Sequence, residues 1–461
     1  MVVLASRAHS HSLCLLALGL VLAGGAAAQT PAPGPARFAV TEATLDNGLR
    51  VLIQEDARNP IVAVQVFYRV GSRNERPGAT GLAHFLEHMM FKGTPTHGRG
   101  EISRLIELNG GRDNAFTTQD LTGYYVSIAA DRLDLVLGIE ADRMRNLLLD
   151  PAEIDSERQV VMEERRTRID DDPDSAGYEA MSSIAYVAHP YRWPIIGWMS
   201  DIARINPAEL RAFYDKYYQP NNAILVIAGD VRADLALALV RRHFGAIPRG
   251  PSPPPVTAVE PPQGDERQVI VRRADAQLPM VNIAWHVPNY RSPDAPALEL
   301  LSTVLSDGRS SRLYRRLVYD KRMVLGAGGD YSYSALDPTL FWFYATLLPG
   351  QTTEAVEQAL LAEVEQLKAE PVTTEELERA RNQIEASFVW RQDSVFSRAS
   401  VLGRYEMMGS WRLLDDFLPK LRAVTPADLQ RVARRYFAVD RKNVSILLAT
   451  PPSVPAAPAA R

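Results

Sequence analysis

The chain has 461 residues, of which 46% are apolar, and a formal net charge of −4 at pH 7. This apolar fraction is ordinary for a globular protein, and a mildly acidic chain without a basic tract is a poor candidate for binding nucleic acid. Cys14 is the only cysteine and lies in a segment that we expect to be removed, so the mature chain would have neither a disulfide nor a catalytic thiol.

Residues 1–28 predict a cleavable signal peptide. Arg7 precedes an apolar run over residues 13–22, and three alanines at 26–28 are typical of a cleavage site. The run is shorter than the ~20 residues of a membrane-spanning helix, and no later stretch is long and uncharged enough to span. We therefore expect a secreted, periplasmic protein without a membrane span.

Proline-rich segments divide the rest of the chain. Residues 29–37 predict a flexible leader, residues 249–264 a linker, and residues 451–461 a tail of low complexity. Two bodies remain, residues 38–248 and residues 265–450. Each has a plausible size for one domain.

The first body carries the pattern H-x-x-E-H, formed by His84, Glu87 and His88. On a helix, His84 and His88 project from one face about 6 Å apart along the axis, which suits two nitrogen ligands of zinc. Glu87 flanks this face and is placed to act on a metal-bound water. The order is the inverse of the H-E-x-x-H zinc peptidase motif. The opposite side of the helical wheel is apolar and predicts the packing face: Leu82, Phe85, Leu86, Met89 and Met90.

A predicted strand follows the motif. Asn114, Ala115 and Phe116 lead into residues 122–129, where polar and apolar residues alternate. A strand close to the metal is able to accept an extended peptide as an added strand. The alternative is an ordinary sheet strand without a ligand.

The third metal ligand is expected from a helix over residues 151–168. One face of this helix carries two carboxylates on an apolar stripe, an arrangement that requires a cation: Ile154, Glu157, Val160, Val161 and Glu164. The two carboxylates are about 10 Å apart along the axis, so one would bind zinc and the other would support the site. Alternatively, Glu157 and Glu164 pair with Arg or Lys in a structural network.

The two bodies look like copies of one unit. Residues 205–210 lead to Tyr217 and an apolar strand in the first body, and residues 424–429 lead to Tyr436 and a similar strand in the second. Both copies predict an N-capped helix followed by a strand. We therefore predict an α+β protein with two structurally similar, duplicated domains, each a mostly antiparallel sheet packed with helices.

The second copy lacks the metal motif. In the second copy, the positions that correspond to His84, Glu87 and His88 are approximately Glu299, Ser302 and Thr303. The first body is therefore predicted to be a catalytic, zinc-binding domain. The second is predicted to be an inactive, homologous domain.

The segment GLAHFLEHMMFKGT, together with Glu164 in the segment ERQVVMEERR 76 residues after His88, resembles the pitrilysin/insulinase family of inverted zinc metallopeptidases. The likeness covers both bodies, and the length resembles the processing-peptidase-like subfamily of half-length chains. The resemblance implies two chains that close a chamber like a clam shell. It also implies one Zn²⁺ per chain and assigns its ligands: His84, His88 and Glu164.

The same resemblance assigns the remaining site residues. It implies that Glu87 is the general base. It also implies that Glu157 is a catalytic carboxylate that assists the site without binding the zinc itself. Asn114, Ala115 and Phe116 would contact the substrate. In chemical terms, zinc held by two imidazoles and one carboxylate acidifies its bound water and polarises a peptide carbonyl.

One family feature is missing. Members complete in one polypeptide, or as homodimers, carry an Arg and, seven positions later, a Tyr in the second domain. The aligned positions are Val318 and Leu325, with Arg316, Tyr319 and Arg322 nearby as expected solvated groups, although a shifted register is an alternative. We therefore expect a homologous subunit without H-x-x-E-H to supply the pair in a heterodimer, in preference to a homodimer.

The leading hypothesis is a periplasmic zinc endopeptidase or oligopeptidase that hydrolyses extended or unfolded peptides through a zinc-activated water. One alternative is a non-catalytic family member that serves as a scaffold or assembly subunit. Another is a periplasmic metal-binding protein without hydrolytic activity. Four further histidines are expected to be surface groups or hydrogen-bonded core groups: His97, His189, His243 and His286.

Overall fold

A computed structural model describes residues 39–450. The predicted signal peptide at 1–28, the leader at 29–37 and the tail at 451–461 lie outside this range. Among the described residues, no helix combines the length and the apolar character needed to cross a membrane.

The first half of the described chain contains six strands and the helices around them. The strands are β1 (Val40–Thr44), β2 (Arg50–Glu55), β3 (Ile61–Tyr68), β4 (Arg112–Thr117), β5 (Thr122–Ala129) and β6 (Ala223–Gly229). The helices are α1 (Leu82–Met89), α2 (Glu101–Leu108), α3 (Leu133–Arg145), α4 (Pro151–Arg165), α5 (Pro173–Ala185), α6 (Met199–Ile202), α7 (Pro207–Tyr217) and α8 (Ala233–Phe244).

The second half repeats this organisation after a segment, residues 249–264, that contains neither helix nor strand. Its strands are β7 (Arg267–Arg273), β8 (Met280–Val287), β9 (Val324–Tyr331), β10 (Thr339–Leu347) and β11 (Asn443–Ala449). Its helices are α9 (Ala295–Ser306), α10 (Thr353–Ala369), α11 (Thr374–Trp390), α12 (Val395–Met408), α13 (Leu413–Ala423) and α14 (Pro426–Tyr436). Each half also has one π-helical segment, Arg166–Asp170 and Tyr314–Asp320.

The two sheets have the same topology. The first has the order β1-β2-β6-β3-β5-β4 and the second has the order β7-β11-β8-β10-β9. If β1 is left out, both sheets have the same spatial order: the first, fifth, second, fourth and third of their strands along the chain lie side by side. Each sheet has one parallel pair, β2 with β6 and β7 with β11, and is otherwise antiparallel. The predicted α+β class with two similar, mostly antiparallel sheets is therefore confirmed, and α9 is the counterpart of α1.

The repeated helix starts explain the sequence repeat. Asn206 caps α7 by accepting a hydrogen bond from the amide of Glu209 at 3.0 Å. Thr425 caps α14 by accepting one from the amide of Asp428 at 3.3 Å. In both helices a proline occupies the first turn, where its missing N–H costs nothing. Each helix leads to an internal strand of its sheet, β6 or β11.

Each half covers the sheet of the other. Helix α12 packs on β3 and β6 of the first sheet, while α5 packs on β7, β8 and β11 of the second. Every residue of β6 is consequently buried, as are seven of the eight in β3. Strands covered on both faces read as nearly continuous apolar runs, which is how both appear in the sequence.

A polar network joins the halves beside the turn that follows β4. Arg73 lies 3.1 Å from the carboxylate of Asp120 and 2.8 Å from that of Asp337. The hydroxyl of Tyr191 donates to Asp120 at 2.6 Å, and Nε2 of His189 lies 3.0 Å from Asp337. His189 is thus a buried, hydrogen-bonded histidine, one of the two environments expected for it. The network fixes the end of β4 relative to the second half.

The contact between α12 and the first sheet is close at Gly403. A Cβ atom at this position would overlap the ring of Phe67 on β3. The helix can approach the sheet this closely because glycine has no side chain.

We expect Gly403→Ala to destabilise the fold by about 1–3 kcal/mol, because the added methyl group must displace Phe67 or the helix. The urea midpoint of the full chain measures this effect. Gly264→Ala is the matched control, since nothing lies within 4 Å of its added Cβ. A Gly403→Ala chain as stable as the wild type, or stabilised by its better helix propensity, would contradict the close approach.

Candidate metal centre

Helix α1 begins at a tightly held turn. The carboxylate of Glu75 accepts hydrogen bonds from the amides of Gly81 and Ala83, each at 2.8 Å. Acceptors of this kind satisfy the free N–H groups at a helix start. Gly81 has a φ of +88°, and a Cβ there would overlap the carbonyl of Ile196. The start of α1 is therefore locked against the segment around residue 196.

The side chains of α1 are buried on both sides of the helix. The predicted apolar face packs into the core of the first half, as expected. His84 and Glu87 are also buried, with 1% and 2% of their surface exposed, because α4 and β4 cover this second face. The metal-type groups therefore lie in a narrow space between α1 and α4, not on an open surface.

The structure brings three predicted ligands together. Nε2 of His84 lies 3.7 Å from Oε2 of Glu164, and Nε2 of His88 lies 3.2 Å from the same oxygen. Within residues 39–450, these residues form the one group of three or more His, Cys, Asp or Glu side chains whose ligand atoms lie within 4.8 Å of one another.

The spacing of these atoms suits zinc. Ligands about 2.1 Å from a tetrahedral zinc ion lie about 3.4 Å from one another, close to both measured distances. Nε2 of His88 is buried and makes no well-directed hydrogen bond to another described residue, which is expected of a nitrogen that faces a metal. The residues present therefore fit a zinc ion.

The electrostatics of the group favour a cation. Burial, together with His88, lowers the pKa of His84 to about 3, so this ring is neutral at neutral pH and free to act as a ligand. Burial opposes a charge on His88, but the carboxylates of Glu157 and Glu164 raise its pKa to about 9. Burial likewise opposes ionisation of Glu164, but the two histidines lower its pKa to about 2. A metal would replace the proton on His88 as the partner of the carboxylates.

Glu157 lies behind the ligands. Its Oε1 is 2.8 Å from Nδ1 of His88, and its other oxygen forms an ion pair with Lys92. A carboxylate on the remote nitrogen of a ligating histidine fixes the orientation of the ring and raises its basicity. This position suits a supporting role and leaves the inner positions to His84, His88 and Glu164.

Glu87 lies between the ligand group and the end of β4. Its Oε2 accepts a hydrogen bond of 2.6 Å from the hydroxyl of Thr117, the last residue of this strand. Burial raises the pKa of Glu87. A carboxylate with a raised pKa is better matched to taking a proton near neutral pH.

Strand β4 forms one edge of the first sheet and pairs only with β5 in the described chain. The side chain of Ala115 is buried in the core, and the ring of Phe116 lies 5.7 Å from the guanidinium of Arg404. Asn114 accepts a hydrogen bond from the amide of Ala115 at 2.9 Å. Two of the three predicted substrate contacts thus have side chains engaged in packing, so the strand would meet a peptide mainly through its backbone.

Three residues of the site escaped the sequence reasoning. Lys92 pairs with Glu157, Arg168 lies 3.1 Å from Oε1 of Glu164, and Thr117 holds Glu87. A helical wheel would have pointed to Arg168, because it follows Glu164 by one turn. Glu157 and Glu164 therefore do have cationic partners, as the alternative of a structural network required, but each of them also lies against a histidine.

Two features of α4 differ from the prediction. The α-helix ends at Arg165 and continues as the π-helical segment, instead of running to Arg168. Val160, expected on the buried face, is 48% exposed. The reason is that it lines an open groove beside Glu164, whereas Ile154 and Val161 reach the core.

We expect Glu164→Gln to lower bound zinc from about one ion per chain to a small fraction, because it removes the anionic ligand. Elemental analysis after dialysis measures the zinc content. Glu163→Gln is the matched control: this neighbour on α4 is exposed, pairs with Arg166 and should keep its zinc. Equal zinc content in the two variants would show that Glu164 is not a ligand.

The sequence is similar to zinc proteases along most of its length. Residues 50–197 match the sequence model described as insulinase (peptidase family M16), and residues 204–384 match that described as the peptidase M16 inactive domain. The zinc protease PqqE of Helicobacter pylori is 33% identical over 408 residues, covering 88% of this chain and 91% of that protein. The uncharacterized zinc protease YmxG of Bacillus subtilis is 29% identical over 406 residues, covering 86% and 95%.

Solved structures share the fold. A protease from Helicobacter pylori matches with a TM-score of 0.86 at 33% identity, covering 89% of this chain and 100% of that one. The periplasmic protease PqqL from Escherichia coli matches with a TM-score of 0.72 at 21% identity, covering 89% of this chain but 48% of that one. The second likeness shows the fold alone. The chain therefore belongs to the pitrilysin/insulinase (M16) family, as the motif and its spacing predicted.

Proposed function

We propose that this protein is a zinc-dependent endopeptidase or oligopeptidase that hydrolyses extended or unfolded peptides. The observation that carries the proposal is the position of Glu87. This buried carboxylate lies between the group of three ligands and the free edge of β4, where its oxygen is held by Thr117. A scaffold or a metal-storage protein has no need for a buried, positioned base.

The residues divide the chemistry among them. Zinc held by His84, His88 and Glu164 would supply a Lewis acid for the water and the peptide carbonyl. Glu87 takes the proton of the attacking water and passes it to the leaving amine. Glu157 orients His88 and, in this way, assists the reaction.

The substrate would lie along β4. A peptide that pairs with an edge strand must be extended, which favours unfolded or short substrates over folded proteins. In this arrangement Asn114, Ala115 and Phe116 contact the peptide, and the end of β4 at Thr117 brings the scissile bond towards Glu87.

We expect Glu87→Gln to lower kcat for unstructured peptides by about 10²–10⁴-fold while zinc is retained, because the amide cannot take the proton. Cleavage of a fluorogenic peptide and elemental analysis, run on the same samples, measure both effects. Glu163→Gln is again the control and should cleave like the wild type. Wild-type turnover by Glu87→Gln would instead favour the metal-binding alternative, and a wild type that stays inactive even with the homologous subunit proposed below would favour the scaffold.

A second subunit is part of the proposal. Val318 packs partly against the second core, and Leu325 on β9 is 62% exposed. Neither side chain has an N–H or O–H group, so neither offers a donor to a developing oxyanion. Arg316, expected to be solvated, is instead bound to Glu363 and Gln366 on α10 and is not free to act as a substitute. The matched length of about half of PqqL supports a pairing of two such units. We propose a homologous subunit without H-x-x-E-H as the partner.

We expect the purified chain alone to have at most about 1% of the activity of the pair, because one missing oxyanion donor costs about 10²–10³-fold. The assay mixes the chain with a candidate homologous subunit and measures peptide cleavage against subunit ratio. Full activity of the chain alone would overturn this part of the proposal and leave the zinc chemistry intact.

We propose the periplasm as the site of action. The predicted signal peptide supports this location. A structural neighbour with the same fold is itself described as periplasmic.

A further inference from the structure

A cavity of about 190 Å³ lies between the two halves. The first half contributes Gln119, Tyr178 and Tyr186 to its lining, and the second contributes Asp330 and Trp342. Sites for whole small molecules typically have volumes of about 300–1,000 Å³. This cavity is smaller and suits one long side chain.

The cavity has one charged side chain in its lining. This side chain is Asp330, and no Lys, Arg or His is among the residues that line the cavity. Burial and nearby Asp307 raise the pKa of Asp330, against the hydrogen bonds from Trp342 and the amide of Tyr331, which lower it. Glu299 of α9 lies close enough that burial and Asp330 together raise its pKa to about 8, against the opposing effect of Arg391. An uncompensated carboxylate in a concave site favours a cationic ligand.

The walls of the cavity suit the rest of a basic side chain. The rings of Tyr178 and Trp342 lie 4.1 Å apart between centroids and are tilted by 52°, and Tyr186 adds a third ring. Aromatic faces pack against the methylene stem of Lys or Arg and attract its charged head.

The cavity is within reach of a peptide on β4. Gln119 lies two residues beyond Thr117, so their Cα atoms are at most about 7 Å apart. Thr117 holds the proposed base Glu87. An extended peptide advances about 3.3 Å per residue, which places the cavity about two to four residues from the scissile bond.

We propose that this cavity is a subsite that selects a Lys or Arg side chain close to the scissile bond of the peptide, with Asp330 as its ionic partner. The subsite rests on the proposed peptidase function. It assigns to the second half, which lacks the metal motif, a direct part in choosing the substrate.

The test uses peptides that are identical except at one position, scanned over the four residues on each side of the cleaved bond. Lys, Met or Glu occupies that position, so that length is nearly constant while charge changes. Binding is measured by fluorescence anisotropy with the zinc-loaded Glu87→Gln chain, and cleavage with the zinc-loaded wild type. We expect Lys to be favoured over Met by about tenfold at one position, and Glu to be the weakest there.

Asp330→Asn should reduce this Lys/Met ratio to near one in both assays, because the amide keeps the shape and removes the charge. Asp320→Asn, an exposed acidic residue of the same half that does not line the cavity, should leave the ratio as in the wild type. Thermal unfolding of both variants shows whether each is folded.

The outcomes separate the subsite from the peptidase function. Cleavage without a Lys preference, or with a preference that survives Asp330→Asn, overturns the subsite and leaves the peptidase intact. Selective binding of Lys peptides without any cleavage by the wild type, either alone or with the proposed homologous subunit, supports the subsite and overturns the peptidase. Failure to bind any of the peptides overturns the subsite as well.

Discussion

The site depends on one electrostatic constraint: three carboxylates and two imidazoles share a narrow space between α1 and α4. Lys92 and Arg168 neutralise part of this charge, each through the outer side of a carboxylate. The inner atoms, two ring nitrogens and one oxygen, face one another. Burying such atoms without a cation is costly, so the packing that brings the two helices together also creates the demand for a metal.

The two halves are similar in fold but carry different polar groups at equivalent helices. Helices α1 and α9 follow equivalent strands, β3 and β8. Of the two, only α1 carries candidate ligand groups, whereas α9 carries Glu299 near Asp330. The halves are also mutually dependent, because α5 and α12 each cover the sheet of the other half. A cavity between them therefore has walls from both, so the proposed subsite depends on the second half as well as on the first.

Much of the fold follows from local patterns. Repeated caps at Asn206 and Thr425, each followed by a helix and an apolar strand, were sufficient to predict a duplication. The apolar runs of β3 and β6 indicated strands. They did not indicate that helix α12 covers the second face of these strands, because this contact joins residues more than 160 positions apart along the chain and depends on a glycine, Gly403, that no periodicity marks.

The residue pattern alone was enough to predict the candidate ligand types, the order His84, Glu87, His88 and a carboxylate from α4, because helical spacing is a local property. The folded chain was needed to show that Oε2 of Glu164 faces both histidines, that Glu157 lies behind His88, and that Thr117 holds Glu87. It also showed that Val160 borders an open groove. These facts depend on how α4 and β4 are set against α1, and that placement results from packing over the whole first half.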